Sequence, residues 1–234
     1  MTTSGFRLYV IGDIHGRLDL LERMIELVNA DIGAHDGGEA LIVTVGDYID
    51  RGPKSREVLD LLLKNPFAGK YVALKGNHEA LLQTFLADPT IGADWWRLGG
   101  AATLRSFGIE IKRWMTRRRY AQAAEQLRKA LTDQQMDFLN ELKTSLVVGK
   151  FFLCHAGIRP GVPLDSQDDD DLLWIRNDFL ISQIDFGKIV IHGHTPTQHP
   201  QILANRINID TGAFFSGRLT CIVVEDSHHR FIST

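Results

Sequence analysis

Cysteine is scarce in this 234-residue chain, which contains only Cys154 and Cys221. Two thiols cannot form the disulfide framework that stabilises many small secreted domains. No apolar run is long enough to predict a membrane-spanning helix. The first residues, MTTSGFRLYVIGD, also lack the apolar segment of a signal peptide. These absences favour a cytoplasmic protein that has no membrane partner.

A large excess of one charge is absent as well. The 26 basic and 29 acidic residues give a formal net charge of −3, so no overall positive field would attract nucleic acid. The basic cluster at 112–119 is interpreted as the solvated face of a helix. Hydrophobic residues make up 44% of the chain and charged residues 24%, which excludes disordered, collagen-like and coiled-coil proteins.

Short apolar runs that end in glycine or polar residues recur along the chain. They are rich in β-branched residues and are typical of buried strands. These runs cover 7–11, 41–45, 71–74, 151–154, 188–191, 207–209 and 219–224. Helical patterns separate several of them, and the capping box Thr132-x-x-Gln135 predicts a helix through Leu142. Strands that alternate with helices predict an α/β fold.

The segment at about 86–144 interrupts this alternation because its pattern is mostly helical. We interpret it as a helical insertion in a single domain that spans 1–234. The pairs Trp95-Trp96 and Gly99-Gly100 lie in this segment. They could form a wall for substrate, but aromatic pairs in helical segments more often serve packing, which is the interpretation favoured here.

Polar side chains follow the predicted strands, where the carboxyl ends of parallel strands bring ligands together at one edge of a sheet. These residues are Asp13, His15, Asp47, Asn77, His155 and His194. Any one of them alone is more often an ordinary turn residue. Their joint occurrence at successive strand ends predicts a metal site instead. Oxygen and imidazole ligands without thiolate suit ions such as manganese, iron or zinc.

The pattern resembles the calcineurin-like metallophosphoesterases, and within them the compact bacterial and phage form of the phosphoprotein phosphatase family. Five motifs in the family's order carry the resemblance: GDIHG at 12–16, GDYIDRG at 46–52, GNHE at 76–79, HAG at 155–157 and GHT at 193–195. The resemblance implies a four-layer α/β sandwich, in which two central mixed sheets are flanked by helices.

The resemblance also implies a dinuclear metal centre, with manganese favoured and iron or zinc as alternatives. The first ion would be bound by Asp13, His15 and Asp47, and the second by Asp47, Asn77, His155 and His194. Asp47 would thus bridge two ions about 3.5–4 Å apart, and a hydroxide between them would attack phosphorus directly.

Four further residues receive roles by the same resemblance. His78 is the candidate general acid for the leaving group, and Asp50 orients its imidazole. Arg51 and Arg176 are the candidate donors to the phosphoryl oxygens, since a guanidinium binds phosphate with two donors. Arg176 ends the segment LLWIR at 172–176, which is similar to the L-W-x-R segment of bacterial and phage members.

The favoured function is a serine/threonine protein phosphatase that acts on phosphoproteins or phosphopeptides. Pro196 stands where nuclease-type relatives have a second histidine, and this favours the phosphatase branch. Asp50-Arg51-Gly52 and Glu79 favour it over a symmetrical diadenosine tetraphosphate hydrolase, which stays the main alternative. An inactive phosphate-binding scaffold is a third, less favoured possibility. The sequence leaves the oligomeric state open.

Overall fold

A computed structural model describes residues 6–34, 39–110, 116–226 and 228–234 of the chain. It contains ten strands: β1 (Phe6–Ile11), β2 (Glu39–Thr44), β3 (Lys70–Ala73), β4 (Ser145–Val148), β5 (Phe151–Cys154), β6 (Ile189–His192), β7 (Gln201–Ile202), β8 (Arg206–Asn208), β9 (Thr220–Glu225) and β10 (His228–Ser233). The α-helices are α1 (Leu18–Gly33), α2 (Ser55–Leu62), α3 (Asn77–Ala87), α4 (Gly92–Trp95), α5 (Ala101–Ser106), α6 (Arg117–Ala130), α7 (Asp133–Glu141), α8 (Asp169–Trp174), α9 (Asn177–Leu180) and α10 (Ala213–Ser216).

The strands form two five-stranded mixed sheets. The first has the order β10-β9-β1-β2-β3, in which β1, β2 and β3 are parallel, β9 pairs antiparallel with β1, and β10 pairs antiparallel with β9. The second has the order β4-β5-β6-β8-β7, in which β5, β6 and β8 are parallel. Three strands, β4, β7 and β10, were not predicted from the sequence, and each of them lies at a sheet edge.

Alternate side chains of the central strands pack in different layers, as the period of two in a strand requires. Leu8 and Val10 of β1 belong to an apolar cluster that also contains residues of the second sheet, such as Leu153. Their neighbours Tyr9 and Ile11 instead pack in a cluster with the helices outside the first sheet. The architecture is therefore the predicted one, two mixed sheets face to face with helices on the outer sides.

The helices outside the second sheet complete the fourth layer. Phe152 and Cys154 of β5 pack against Leu172 of α8 and Phe179 of α9. Cys154 is fully buried. None of the helices in the described part of the chain combines the length and the apolar character needed to span a bilayer.

The segment at 86–144 contains α4 to α7 and a short π-helical turn, Trp96–Gly100. The capping box at Thr132 forms as predicted, and α7 begins at Asp133. In the basic cluster, Lys112 and Arg113 lie outside the described residues, whereas 117–119 are exposed on α6. That this segment is an insertion in a single domain stays a prediction.

Candidate metal centre

The structure brings the six predicted metal ligands to one edge of the two sheets. Each ligand follows the carboxyl end of a strand: β1, β2, β3, β5 or β6. Five lie in the loops beyond these ends, and Asn77 is the first residue of α3. All six side chains are buried: Asp13, His15, Asp47, Asn77, His155 and His194. Buried polar groups of this density require partners, because an unpaired charge in the interior costs several kcal/mol.

The backbone around the centre is strained. Five of the described non-glycine residues in this region have positive φ angles: His15, Asp47, Asp50, Arg51 and His194. A left-handed backbone at a non-glycine residue costs of order 1–3 kcal/mol and persists only where the surrounding structure fixes it. Such residues cluster at functional sites, and here they turn the side chains of three candidate ligands towards each other.

Asp47 lies between two groups of candidate ligands in the described residues. Its Oδ2 is 3.3 Å from His15 Nε2 and 3.8 Å from His78 Nε2. Its Oδ1 is 3.4 Å from His155 Nε2, and His155 and His194 form the second group with it. Within each group the ligand atoms lie within 4.8 Å of one another. One carboxylate thus faces two places where a cation would fit.

At the second group, two acceptor atoms are in contact: Nε2 of His155 and Oδ1 of the neighbouring Asn77. His155 Nδ1 is 2.9 Å from the carbonyl oxygen of Val45, which identifies Nδ1 as the protonated nitrogen. Burial lowers the pKa of His155, so its Nε2 carries a lone pair and faces Asn77 Oδ1 at 2.8 Å. His194 Nδ1 lies 2.9 Å from the same oxygen. A divalent ion with ligands at about 2.1 Å separates adjacent ligand atoms by about 3 Å, so this geometry fits a cation.

His15, in the first group, is oriented in the same way, by a backbone carbonyl that binds its Nδ1. His15 Nδ1 lies 2.9 Å from the carbonyl oxygen of Ile49, so Nε2 is left free to face Asp47. Burial lowers the pKa of His15 to about 3 and keeps the ring neutral. A backbone carbonyl that binds one imidazole nitrogen is the usual device for fixing the tautomer of a metal ligand.

Asp13 supplies a second sign that a cation belongs here. Its Oδ2 accepts a hydrogen bond from the backbone N–H of His194 at 3.0 Å, whereas its buried Oδ1 has no partner among the described residues. Burial, together with the charges of Asp210 and Asp47, raises the pKa of Asp13. A Cβ at Gly193 would collide with Oδ1, so only glycine allows this approach. Asp13 is outside both groups around Asp47, although it lies beside His194.

The donor set fits the group that the sequence predicted. Two carboxylates, an amide oxygen and neutral imidazoles, with no thiolate, suit borderline and hard divalent ions.

Glu79 has a structural role that the sequence reasoning did not identify. Its Oε2 accepts hydrogen bonds from the backbone N–H groups of Asp47 and Gly76, both at 2.9 Å. Its Oε1 accepts from Tyr48 at 2.8 Å and Ile49 at 3.3 Å. Burial and the nearby Asp47 raise the pKa of Glu79 to about 7. The buried carboxyl group therefore ties the loop that carries Asp47 to the start of α3.

Glu79→Ala is expected to lower the free energy of unfolding by about 3 kcal/mol, because it leaves buried N–H groups without acceptors. Urea denaturation of the metal-free protein measures this loss directly. Glu57→Ala on α2, whose carboxylate pairs with Lys54 at a half-exposed position, is the matched control. A Glu79→Ala protein as stable as the control would contradict this role.

His78, which belongs to the first group, lies together with Asp50 and Arg51. His78 Nδ1 is 2.6 Å from Asp50 Oδ2, and its Nε2 is 3.1 Å from Nη2 of Arg51. Burial opposes the charged imidazolium, but the carboxylates of Asp47 and Asp50 outweigh it and raise the pKa of His78. His78 thus has a fixed orientation and an environment that favours the protonated form.

Arg176 lies beside the second group. Its Nε donates a hydrogen bond to His194 Nε2 at 3.0 Å. The segment that carries Arg176 is joined to the loop of His155, because the backbone N–H of Ala156 donates to the carbonyl of Leu172 at 2.8 Å. The structure therefore places one arginine next to each group of candidate ligands.

Aromatic side chains border the centre. The Arg51 guanidinium carbon lies 4.8 Å from the centroid of the Phe214 ring, and His15 packs against the same ring at 5.4 Å. Phe215 packs on Phe214 and is 64% exposed. Trp174, 38% exposed, has its ring 6.3 Å from that of His194. Trp95 is buried instead, so it forms no wall for substrate.

The fold and the site define a class of enzyme, and the comparisons with known proteins agree. A sequence profile of the calcineurin-like phosphoesterases matches residues 6–218. The chain belongs to this family and is a hydrolase of its phosphatase type.

Two kinds of curated relative are similar in sequence to this chain over most of its length. Serine/threonine-protein phosphatase 2 of Salmonella typhimurium is 31% identical over 226 residues, which are 91% of this chain and 90% of that protein. Bis(5'-nucleosyl)-tetraphosphatase PrpE [asymmetrical] of Anoxybacillus flavithermus is 28% identical over 235 residues, 91% of this chain and 88% of that one.

Solved structures show the same fold. A candidate diadenosine tetraphosphatase superposes with a TM-score of 0.69 at 21% identity and covers 100% of this chain and 95% of its own. A cold-active protein tyrosine phosphatase superposes with a TM-score of 0.61 at 19% identity, over 97% of this chain and 79% of its own. The metallophosphoesterase fold expected from the motifs is thereby confirmed.

Proposed function

We propose that the protein is a metal-dependent serine/threonine protein phosphatase. The observation that carries this proposal is the placement of one arginine beside each ligand group, with the His78 ring held between Arg51 at Nε2 and Asp50 at Nδ1. A terminal phosphoryl group requires several donors for its oxygens and a proton for its leaving group. Relatives named serine/threonine-protein phosphatase support the substrate class.

The ligand assignment is part of the proposal. Asp13, His15 and Asp47 would hold one divalent ion, and Asp47, Asn77, His155 and His194 would hold the other, with manganese favoured. Bound ions would supply an acidified water and would offset charge on the phosphoryl oxygens.

Four side chains have the remaining roles, which are phosphoryl binding and proton transfer: Arg51, Arg176, His78 and Asp50. In the structure, Arg51 donates to His78 Nε2, so the imidazole there is an acceptor. A proton at Nε2 breaks this contact, which frees the guanidinium for the phosphoryl group and makes His78 a donor to the leaving oxygen. Asp50 holds the proton at Nδ1 throughout.

Arg176 is freed in a similar way. His194 presents Nδ1 to Asn77 and His155, so if Nδ1 were a metal ligand, the ring proton would be at Nε2. Since Arg176 Nε is only a donor, it cannot keep its contact with a protonated Nε2. Arg176 then has its donors available for a second phosphoryl oxygen.

The aromatic border favours a second candidate, hydrolysis of dinucleoside polyphosphates. Exposed aromatic rings offer faces on which nucleobases stack, each contact contributing about 1–3 kcal/mol. Phe215 and Trp174 are such rings near the candidate ligands. The tetraphosphatase relatives are of the asymmetrical kind, whereas the motifs suggested comparison with the symmetrical kind.

A paired rate measurement separates the two functions. Manganese-loaded protein is expected to cleave a phosphothreonine peptide faster than diadenosine tetraphosphate, and chelator treatment is expected to remove both activities. Faster cleavage of the dinucleotide would overturn the protein-phosphatase proposal in favour of the second candidate. Its products would then give the cleavage position: AMP with ATP for the asymmetrical reaction, ADP alone for the symmetrical one.

A Phe215→Ala variant is the control for the aromatic border. If a phosphopeptide is the substrate, this change is expected to leave the rate of peptide cleavage nearly unaltered. In the described residues, the exposed Phe215 ring packs on Phe214 and contacts none of the candidate metal ligands. A selective loss of at least about tenfold on the dinucleotide would be the signature of base stacking.

A further inference from the structure

Asp50 is held by more contacts than its role as a partner of His78 requires. Its Oδ2 accepts from Trp95 Nε1 at 2.8 Å as well as facing His78 Nδ1. Its Oδ1 accepts from the hydroxyl of Thr103. Its backbone N–H donates to the oxygens of Thr103 and Ser55, at 2.9 and 3.0 Å. All four of these partner side chains are buried.

The Thr103 hydroxyl joins the backbone and the carboxylate of the same residue. It accepts from the N–H of Asp50 and donates to Oδ1, which fixes both the left-handed backbone and the side-chain rotamer. The Trp95 indole then occupies one lone-pair direction of Oδ2. The direction left for the N–H of His78 is thereby determined.

Both partners come from the segment at 86–144, which the sequence predicted to be a helical insertion and whose aromatic pair was assigned to packing. Trp95 ends α4 and Thr103 lies in α5, with the π-helical turn Trp96–Gly100 between them. That turn also contacts Arg51, whose N–H donates to the carbonyl of Gly99 at 3.2 Å. A Cβ at Gly99 would lie 2.7 Å from Arg51 Cγ, so glycine allows this close approach.

We propose that Trp95 and Thr103 are positioning residues for the general acid: they fix the Asp50 carboxylate and, through it, the orientation of the His78 imidazole. The helical segment that contains them is therefore part of the catalytic apparatus and not merely a cover. This proposal rests on the proposed function in one respect, the assignment of His78 as the acid.

The test compares two substrates of different leaving-group quality. Thr103→Val removes the hydroxyl at constant shape, and Trp95→Phe removes the indole N–H. Each variant is expected to lower kcat about 10- to 100-fold on a phosphothreonine peptide, which is the usual effect of losing a hydrogen-bond partner that orients a functional side chain. Turnover of p-nitrophenyl phosphate, whose leaving group needs no proton, is expected to change little, as are KM and metal content.

Matched variants separate positioning from packing. Thr103→Ser keeps the hydroxyl and is expected to restore most of the peptide activity. Ser106→Ala in the same helix and Phe85→Leu, whose ring packs against Trp95, disturb the region without touching Asp50. Equal losses on both substrates, or losses in the control variants as large as in Thr103→Val, would overturn the proposal.

A readout without substrate distinguishes this proposal from the proposed function. Long-range ¹H–¹⁵N spectra report the tautomer of each histidine ring, and comparison with His78→Asn assigns the His78 signals. We expect the Nδ1-protonated signature of His78 to be lost or broadened in Thr103→Val and kept in Thr103→Ser. If the enzyme cleaves no phosphomonoester but this spectral change occurs, the function fails and the positioning stands. An unchanged His78 signal in Thr103→Val would refute the positioning.

Discussion

Asp47→Ala is expected to abolish phosphoesterase activity, with a fall in kcat of at least about 10⁴-fold, and to weaken the binding of both metal ions. The reason is geometric. The two carboxylate oxygens face opposite groups, Oδ2 towards His15 at 3.3 Å and Oδ1 towards His155 at 3.4 Å. Removing one side chain therefore removes a ligand from each ion.

Metal analysis after equilibrium dialysis measures this effect directly, alongside activity on p-nitrophenyl phosphate. Asp19→Ala, at an exposed position near the start of α1, controls for the loss of one negative charge. Circular dichroism checks that the Asp47→Ala protein is folded. A folded variant with the metal content of the wild type would refute the assignment of Asp47 as the bridge.

His78→Asn is expected to lower kcat about 10²–10⁴-fold on substrates with poor leaving groups, the usual contribution of a general acid. The alkoxide of serine or threonine needs a proton, whereas p-nitrophenolate leaves without one. The loss on p-nitrophenyl phosphate should therefore be much smaller. The buried contact of His78 with Asp50, at 2.6 Å, and its raised pKa are the structural basis.

Rates on the two substrates, measured with the same enzyme sample, test this expectation. His199→Asn is the control because this histidine is exposed and outside the centre. If both substrates lose activity to the same extent in His78→Asn, His78 does not act as the acid.

Much of the centre could be predicted because strand ends are visible in the sequence. A buried strand is visible in the sequence as an apolar run. The residues that follow parallel strands lie at one edge of the sheet, so Asp13, Asp47 and His155 could be predicted to lie together from the sequence alone. The helix start at Thr132 was predictable for a similar reason, since a capping box is a local signal.

Other features depend on contacts that no local pattern encodes. Trp95 and Thr103 contact Asp50 although they lie 45 and 53 residues away from it in the sequence. Their helical setting gives the same pattern as ordinary packing. Glu79 follows the candidate acid by one residue, but its hydrogen bonds go to the backbone near Asp47, which the sequence cannot show. The edge strand β7 escaped prediction because it is only two residues long, Gln201–Ile202.

The number of divalent ions bound per chain tests whether the centre is dinuclear. Protein stripped by a chelator should take up two manganese ions in equilibrium dialysis, and phosphoesterase activity should rise with occupancy. We expect a stoichiometry of two, because Asp47 faces two separate ligand groups. Saturation at one ion or none, with phosphoesterase activity present, would contradict a dinuclear centre.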